Sequence, residues 1–396
     1  MKRIYFVLLS IACFLSGQAQ TNGTYYRIKN YSTERYIGVI DNRGEISYEQ
    51  NKADFGALKT FYDGFSVSVA SAPSTIIFFK KISGGWDLQS QGVGTYSIIH
   101  YPVQLKERDG HTTAYGSNSS MVAYLADEPF NSVFGDPEDG IVVQRGSKDS
   151  WNYSYWDLLP VLPTGDSYFG LAPTVSCGGK YYQTFYASFP FTLYSQGMNA
   201  YYVHKVDEEK AAVVMTELTN GVPAATPVIV KCSSNQSTNN RLDVGKGSGT
   251  VTNNQLVGVY FCNDVKESNQ FNHRNVVDYD AETMRVLGTA ADGSLAFVKS
   301  SSLQYIPANT AYIKVSANAP AELKVYTQAE YDQLTPAVVG DLSGDGEVTV
   351  TDQVIIGNII LGLRPYSAEA DLNHDGVVNV TDYVALGNII LGKNNE

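Results

Sequence analysis

The strongest constraint on the fold is a duplication near the C-terminus. Asp341-Leu-Ser-Gly-Asp-Gly-Glu-Val-Thr-Val-Thr-Asp352 recurs thirty positions later as Asp371-Leu-Asn-His-Asp-Gly-Val-Val-Asn-Val-Thr-Asp382. Each copy leads into a near-identical apolar stretch, Gly357-Asn-Ile-Ile-Leu-Gly362 and Gly387-Asn-Ile-Ile-Leu-Gly392. Oxygen-bearing residues at every second position around a glycine make a tight loop, and the apolar run after it reads as a helix. Two copies in register therefore demand two similar loop–helix units.

The chemistry of the loops follows from their spacing. Calcium takes about six to eight hard oxygen ligands, and a twelve-residue loop of the EF-hand type supplies them from positions 1, 3, 5, 7, 9 and 12, with Gly at 6. In the first loop these are Asp341, Ser343, Asp345, the Glu347 carbonyl, Thr349 (directly or through a water) and Asp352. In the second they are Asp371, Asn373, Asp375, the Val377 carbonyl, Asn379 and Asp382. Gly346 and Gly376 hold the turn position, and Val348 and Val378 are expected to point inward and pair the loops. The expected cofactor is two calcium ions.

Position 12 is Asp, not the longer Glu of sensor EF-hands, and neither loop has a good entering helix before it. With that loop-then-helix duplex, the stretch 340–393 resembles the type I dockerin module. The resemblance implies calcium-dependent folding and docking onto a cohesin-type receptor, often in proteins acting on polysaccharides. It also implies partner-facing residues at loop positions 10 and 11 and on the helix that follows. Here these are Val350, Thr351 and Asn358 in one half, and Val380, Thr381 and Asn388 in the other. Cellulosomal dockerins carry hydroxyl pairs and basic residues there, where this chain has Val-Thr and Asn. The apolar residues Ile355, Ile356, Ile359, Ile360 and Leu361 exceed what one small helix pair can bury, which predicts an exposed interaction patch. The partner is a cohesin-like receptor or the protein's own upstream domain.

At the other end, Lys2 and Arg3 precede an apolar run from Ile4 to Leu15 that is too short to span a bilayer. Gly17-Gln-Ala19 supplies small residues for cleavage after Ala19, so 1–19 reads as a secretory signal peptide and no transmembrane segment is expected. A rival reading, in which Ser10-Ile-Ala-Cys13 resembles a lipoprotein signal, would lipidate Cys13. Export to the medium or the cell surface follows in either case.

The formal net charge is −12, and losing Lys2 and Arg3 takes it to −14. Such a surface repels nucleic acid and anionic membranes. From 340 onward nine carboxylates face only Arg364 and Lys393, a net −7 that two calcium ions would bring to −3. That tail is expected to fold poorly without metal. The cysteines left after cleavage, Cys177, Cys232 and Cys262, show no metal-ligand spacing and leave one disulfide or buried thiols open.

Between the two ends, short runs rich in Tyr, Val, Ile, Phe and Thr alternate with Gly, Asn, Asp and Pro, the pattern of all-β domains. Residues 22–162 form one such unit. Trp86-Asp-Leu recurs as Trp156-Asp-Leu, and hairpins ending this way resemble the β-trefoil of ricin-type carbohydrate-binding domains. The aromatic residues either stack on sugar rings or fill the core. Lys148-Asp-Ser-Trp-Asn-Tyr-Ser-Tyr-Trp156 is the exception to core filling, since four aromatics cannot all point inward on an alternating strand, which makes Trp151, Tyr153 and Tyr155 candidate glycan contacts. Residues 163–327 form a second β unit with an internal echo, Pro223-Ala-Ala-Thr-Pro-Val-Ile229 against Pro307-Ala-Asn-Thr-Ala-Tyr-Ile313. It resembles a β-sandwich module common in secreted and surface proteins of gut Bacteroidetes, and 328–339 reads as a linker. The expected architecture is mainly β: a trefoil-like unit, a central β-sandwich and a small α-helical dockerin-like module with two calcium loops.

No catalytic constellation emerges. The five histidines lie in unrelated contexts, and Gly245-Lys-Gly-Ser-Gly249 lacks the order of a phosphate-binding loop. Asp136, Glu138 and Asp139 sit in a Pro/Gly loop, and sequence spacing does not set the carboxylate separation that glycoside hydrolysis needs. Two functions stand: a secreted, non-catalytic, glycan-binding protein attached through its tail, and a polysaccharide-active glycoside hydrolase with unrecognised carboxylates in 22–327. Tandem small β units rarely form a deep cleft, which favours the first.

Overall fold

The computed structural model describes residues 20–39, 58–64, 68–91, 102–118, 121–128, 140–145, 153–259, 277–334 and 338–393. It separates into two compact units, Met1–Val325 and Tyr326–Glu396. The protein is mainly β, and its two longer helices lie in the second unit.

The N-terminal strands are β1 (Thr24–Asn30), β2 (Tyr36–Val39), β3 (Leu58–Phe61), β4 (Ile77–Ile82) and β5 (Gly85–Ser90). They continue with β6 (Val103–Arg108), β7 (His111–Asn118), β8 (Met121–Glu128), β9 (Gly140–Arg145) and β10 (Trp156–Pro160). Six of them close a ring through the pairings β1–β4, β4–β5, β5–β6, β6–β7, β7–β10 and β10–β1. The pairs β2–β3 and β8–β9 stand off that ring as hairpin layers. A six-stranded barrel with hairpins laid against one end is the β-trefoil plan. The turn joining β6 to β7 shows the local cause: Asp109 (φ +53°) and Gly110 (φ +83°) are both left-handed, as a two-residue type I′ turn requires.

Tyr26, Ile28, Ile77, Phe79, Leu88 and Trp156 fill the ring, and Trp156 Nε1 donates to the Leu125 carbonyl at 3.1 Å. The void lined by Ile28, Phe79, Leu88 and Trp156 is about 10 Å³, at the lower limit for a single water. Both triplet tryptophans are core residues: Trp86 starts β5, just after a tight turn, and Trp156 starts the last strand of the ring. They occupy different phases of the ring, so their offset in sequence does not mark its repeat.

The strands β1 and β4 are buried on both faces. Alternation sends Tyr26 and Phe79 into the ring, and Tyr25 and Phe78 outward into a second core with Phe169, Phe185, Phe189 and Phe191. Arg27, on that outer face, is fully enclosed. Its guanidinium donates to Thr75 Oγ1 (3.0 Å) and to the carbonyls of Ser167 (2.8 Å), Tyr168 (2.7 Å) and Val69 (2.9 Å), and burial pushes its pKa down to about 10. Asn309 Nδ2 donates to Gln91 Oε1 at 2.8 Å across the same boundary. The sequence divides 22–162 from 163–327, while a shared core and buried hydrogen bonds join these stretches within the first compact unit.

The second part of that unit contributes β11 (Phe169–Gly170), β12 (Val175–Cys177), β13 (Lys180–Phe185), β14 (Phe191–Leu193) and β15 (Asn199–Asp207). There follow β16 (Ala212–Glu217), β17 (Val228–Cys232), β18 (Arg241–Val244), β19 (Leu256–Val259) and β20 (Val277–Asp278). The last are β21 (Met284–Thr289), β22 (Leu295–Val298), β23 (Tyr305–Ile306), β24 (Thr310–Lys314) and β25 (Glu322–Thr327). One sheet of ten runs in the order β12-β13-β17-β15-β16-β25-β22-β21-β24-β19.

Its two halves face each other: Tyr201, Val203 and Ile229 from one pack with Phe297, Ile313 and Leu323 from the other, giving the sandwich. The order is palindromic. The run β13, β15, β16, β17 pairs as β13-β17-β15-β16, and β19, β21, β22, β24 pairs as β19-β24-β21-β22, with β25 on the seam. The Pro223 and Pro307 echoes lead into the equivalent strands β17 and β24. Each has a left-handed residue at its third position, Ala225 (φ +54°) and Asn309 (φ +59°).

The C-terminal unit holds α1 (Gln328–Leu334), α2 (Val350–Ile360) and α3 (Val380–Ile390). The expected linker at 328–339 thus begins as a short helix. Ile356, Ala370 and Leu386 are its fully buried apolar residues, with Val348, Val378, Ile359 and Ile390 packed around them, so position 8 of each loop does face inward. Gly340 sits at φ +96°, where a Cβ would fall 2.6 Å from Leu386 Cδ1, so only glycine lets the first loop lie against the second helix.

Candidate calcium and docking site

Each loop is built on the carboxylates at its two ends. Asp341 accepts amide hydrogens from Gly344 (2.7 Å), Asp345 (3.3 Å) and Gly346 (2.7 Å). Asp371 does the same for Asp375 (3.1 Å) and Gly376 (2.7 Å). The position-12 residues join the loop to its helix. Asp352 accepts from the amides of Leu342 (2.9 Å), Ser343 (2.7 Å) and Thr349 (2.8 Å), and Asp382 from those of Leu372 (2.9 Å), Asn373 (3.2 Å) and Asn379 (2.9 Å). Thr349 and Asn379 cap α2 and α3 in return, each side chain accepting from the amide two residues on. Each helix ends on a left-handed glycine, Gly362 and Gly392.

Asp352 and Asp382 are fully buried. Burial would raise their carboxyls, but the converging amides outweigh it and hold both below the usual carboxylate range. The Asp341 carboxyl is lowered in the same way, its desolvation overcome by the amides of Gly346 and Gly344.

Do the residues fit a calcium ion? The side chains at positions 1, 3, 5, 9 and 12 all offer oxygen, and Gly346 and Gly376 (both φ +89°) make the turn at position 6. Among the described ion pairs none neutralises a loop aspartate. Ser343, Asp345, Glu347, Asn373, Asp375 and Val377 stand exposed, with Thr349 and Asn379 half-buried. Among the described residues no three His, Cys, Asp or Glu side chains already converge as a metal cluster. The donor set fits calcium, which supplies the positive charge that these anions otherwise lack.

Of the proposed partner positions, Val350–Thr351 and Val380–Thr381 open α2 and α3, while Asn358 and Asn388 lie in the last turn of each helix. Val350 and Val380 are 64% and 66% exposed, Thr351 and Thr381 are exposed, and Asn358 and Asn388 are half-buried. Val354, Leu361, Val384 and Leu391 are exposed as well. Of the five aliphatics singled out in the sequence, Ile356 is buried, Ile355, Ile359 and Ile360 are half-buried and Leu361 alone is exposed, so the apolar surface left in water is mainly valine, Val350, Val354, Val380 and Val384. No helix among the described residues is long and apolar enough to cross a membrane.

The glycan candidates fare differently. Trp151 lies outside the described residues, as do Cys13, Asp136, Glu138, Asp139 and Cys262. Tyr153 is exposed. Tyr155 is buried, because it precedes β10 and so escapes the alternation that was to turn it outward; its hydroxyl donates to Asp109 Oδ2 at 2.9 Å.

Residues 339–391 match the model of the dockerin type I domain. The C-terminal unit is thus a type I dockerin; such domains bind calcium, attach their proteins to complexes through a cohesin partner, and typically occur in extracellular or cell-surface proteins. No curated protein matches the chain significantly. Among solved structures, a ricin B-like lectin of Macrolepiota procera in complex with lactose shares 14% identity over 35% of this chain and 97% of its own, with a TM-score of 0.23. Cry35Ab1 shares 10% over 58% and 75% (TM-score 0.25), and a mosquitocidal holotoxin 9% over 77% and 51% (TM-score 0.26). Scores this low establish no shared fold.

Proposed function

We propose that this chain is a secreted, non-catalytic glycan-binding protein, held to a cohesin-bearing partner by a C-terminal module folded around two calcium ions. The observation that carries the reading is the paired loop: twelve ligand positions in two registers, each locked to a helix whose apolar face stands in water beside it. In this reading Asp341, Ser343, Asp345, Glu347, Thr349 and Asp352 hold one ion, and Asp371, Asn373, Asp375, Val377, Asn379 and Asp382 the other. Val350, Thr351, Asn358 and their counterparts Val380, Thr381 and Asn388 face the partner. The filled ring and the folded sheet support a binding role, since a ring packed this tightly between Ile28, Phe79, Leu88 and Trp156 engages ligands on its outside.

Binding of the intact secreted protein to a panel of cohesin modules, in calcium and in chelator, tests the attachment. Capture in calcium and release by chelator is the expected result, and silence across the panel would leave the tail without its receptor class. Release of reducing sugar from polysaccharides by the same preparation would replace the binder with a hydrolase.

A further inference from the structure

Among the described residues of the first unit, the exposed large apolar side chains are Tyr31, Tyr62, Tyr153, Leu162 and Tyr194. Three of these are linked to the turn between β1 and β2. Tyr31 begins that turn, its amide donating to the Tyr155 carbonyl at 2.8 Å. The Tyr153 carbonyl accepts from Asn30 Nδ2 at 2.8 Å. The ring of Tyr62 lies 5.7 Å from the Arg35 guanidinium, at the far end of the turn.

Tyr31 is 53% exposed, yet its ring does not hang free. It lies 3.8 Å, centroid to centroid, from the His111 imidazole at an interplanar angle of 35°. His111 opens β7, and its Nδ1 is 2.8 Å from Asp157 Oδ1 on β10. The same imidazole stands 5.8 Å from the Tyr155 ring at 27°. Asp157 keeps about a third of its side chain in water (36%), and Asp109 more. A tyrosine at the surface is thus fixed from beneath by a histidine, which a carboxylate orients. Three ring strands meet to build it: β1, β7 and β10.

Fixing an exposed ring contributes little to stability, about 0.5–1.5 kcal/mol for an aromatic pair. What it provides is a pre-ordered apolar platform beside acceptor-only groups. A pyranose offers the complement: a face of C–H bonds for the electron-rich ring and a rim of hydroxyl donors for carboxylates. Asp157, held through one oxygen by His111, has its other oxygen to accept hydroxyl donors and repels carboxylate or sulfate, whereas Asp109 is offset by the Arg108 guanidinium at 3.6 Å and accepts from Tyr155.

We propose that Tyr31, held by His111 and Asp157, is a binding platform for a neutral pyranose unit of a glycan. Tyr31 stacks under the sugar and Asp157 accepts its hydroxyls; His111 is a positioning residue. This rests on the glycan-binding reading above and names a site for it away from the residues that the sequence suggests.

A glycan array of neutral, uronate-containing and sulfated structures, probed with the intact protein and variants of unchanged melting temperature, tests both. Binding to neutral glycans is expected. Tyr31→Ala should weaken it at least tenfold and Asp157→Asn similarly; Tyr31→Phe, which keeps the ring, should lose far less than Tyr31→Ala, and Tyr194→Ala, an exposed tyrosine just after β14, should bind as the parent does. If Tyr31→Ala binds like the parent, the site is wrong and glycan binding stands; equal loss in Tyr31→Phe would remove stacking as its basis. Preference for sulfated or uronate glycans would overturn the charge argument. A silent array would sink glycan binding and the site together.

Discussion

Withdrawing calcium should open the C-terminal unit and leave the first unit intact. Affinities of loops of this type range widely; with a dissociation constant of about 10 μM and 1 mM free ion, each loop contributes about 2.7 kcal/mol, or roughly 5 for the pair. Among the described residues, the unit's core has three fully buried apolar residues, Ile356, Ala370 and Leu386. At about 0.05–0.15 kcal/mol per residue, the stretch Tyr326–Glu396 holds roughly 4–11 kcal/mol in all. Chelation therefore removes about half of it or more.

Hydrogen exchange read by mass spectrometry on the intact protein is the assay. Amides of α2 and α3 should lose about four orders of magnitude of protection in chelator, since 1.4 kcal/mol is tenfold, while peptides from β4 and β17 keep theirs. Equal protection of α2 and α3 with and without calcium would refute the metal assignment. It would show that the amide hydrogen bonds to Asp352 and Asp382 suffice.

The buried pair Arg35–Asp127 (2.8 Å), whose carboxylate also accepts from Thr60 Oγ1 at 2.6 Å, ties β2 and β3 to β8. Asp127→Ala should therefore cost about 3–5 kcal/mol in urea unfolding, against far less for the Arg35→Met/Asp127→Leu double variant. Burial pushes the hydroxyls of Tyr25 and Tyr201 and the Cys232 thiol up to about 12. The folded first unit then keeps protons that the unfolded chain releases above about pH 9–10. Its stability, complete below that range, should fall as pH rises toward 12, which melting temperatures across pH 8–12 will show. With peptide mapping after alkylation at pH 8, Cys177, half-buried, should label quickly and Cys232 only on unfolding.

The C-terminal unit was legible because its chemistry is local. Six ligand positions, a glycine and a helix cap all fall within twelve residues, so spacing alone specifies Asp341 to Asp352. The ring was less so, because it closes where Asn30 meets Trp156, across most of the N-terminal sequence, and nothing in either residue announces the other. The two Trp-Asp-Leu copies fall on β5 and β10, at different phases of the ring, so their recurrence says little about how it closes. The Pro223 and Pro307 echo, by contrast, marked a true structural repeat, since both copies need the same left-handed turn before a strand. Tyr155 was misread because alternation was extended past the end of β10. Tyr31 was missed altogether: it becomes a platform only when β7 brings His111 beneath it.

The position of β25 bears on how such a protein would hold under load. It is the final strand before the C-terminal unit, and it lies on the sheet's midline, bonded to β16 on one flank and β22 on the other. Traction on the tail enters the body along this strand, at right angles to its cross-strand hydrogen bonds. Those bonds must then shear together, where an edge strand would peel away one at a time. A protein moored by its C-terminus in flowing medium would be held at a strand bonded on both flanks.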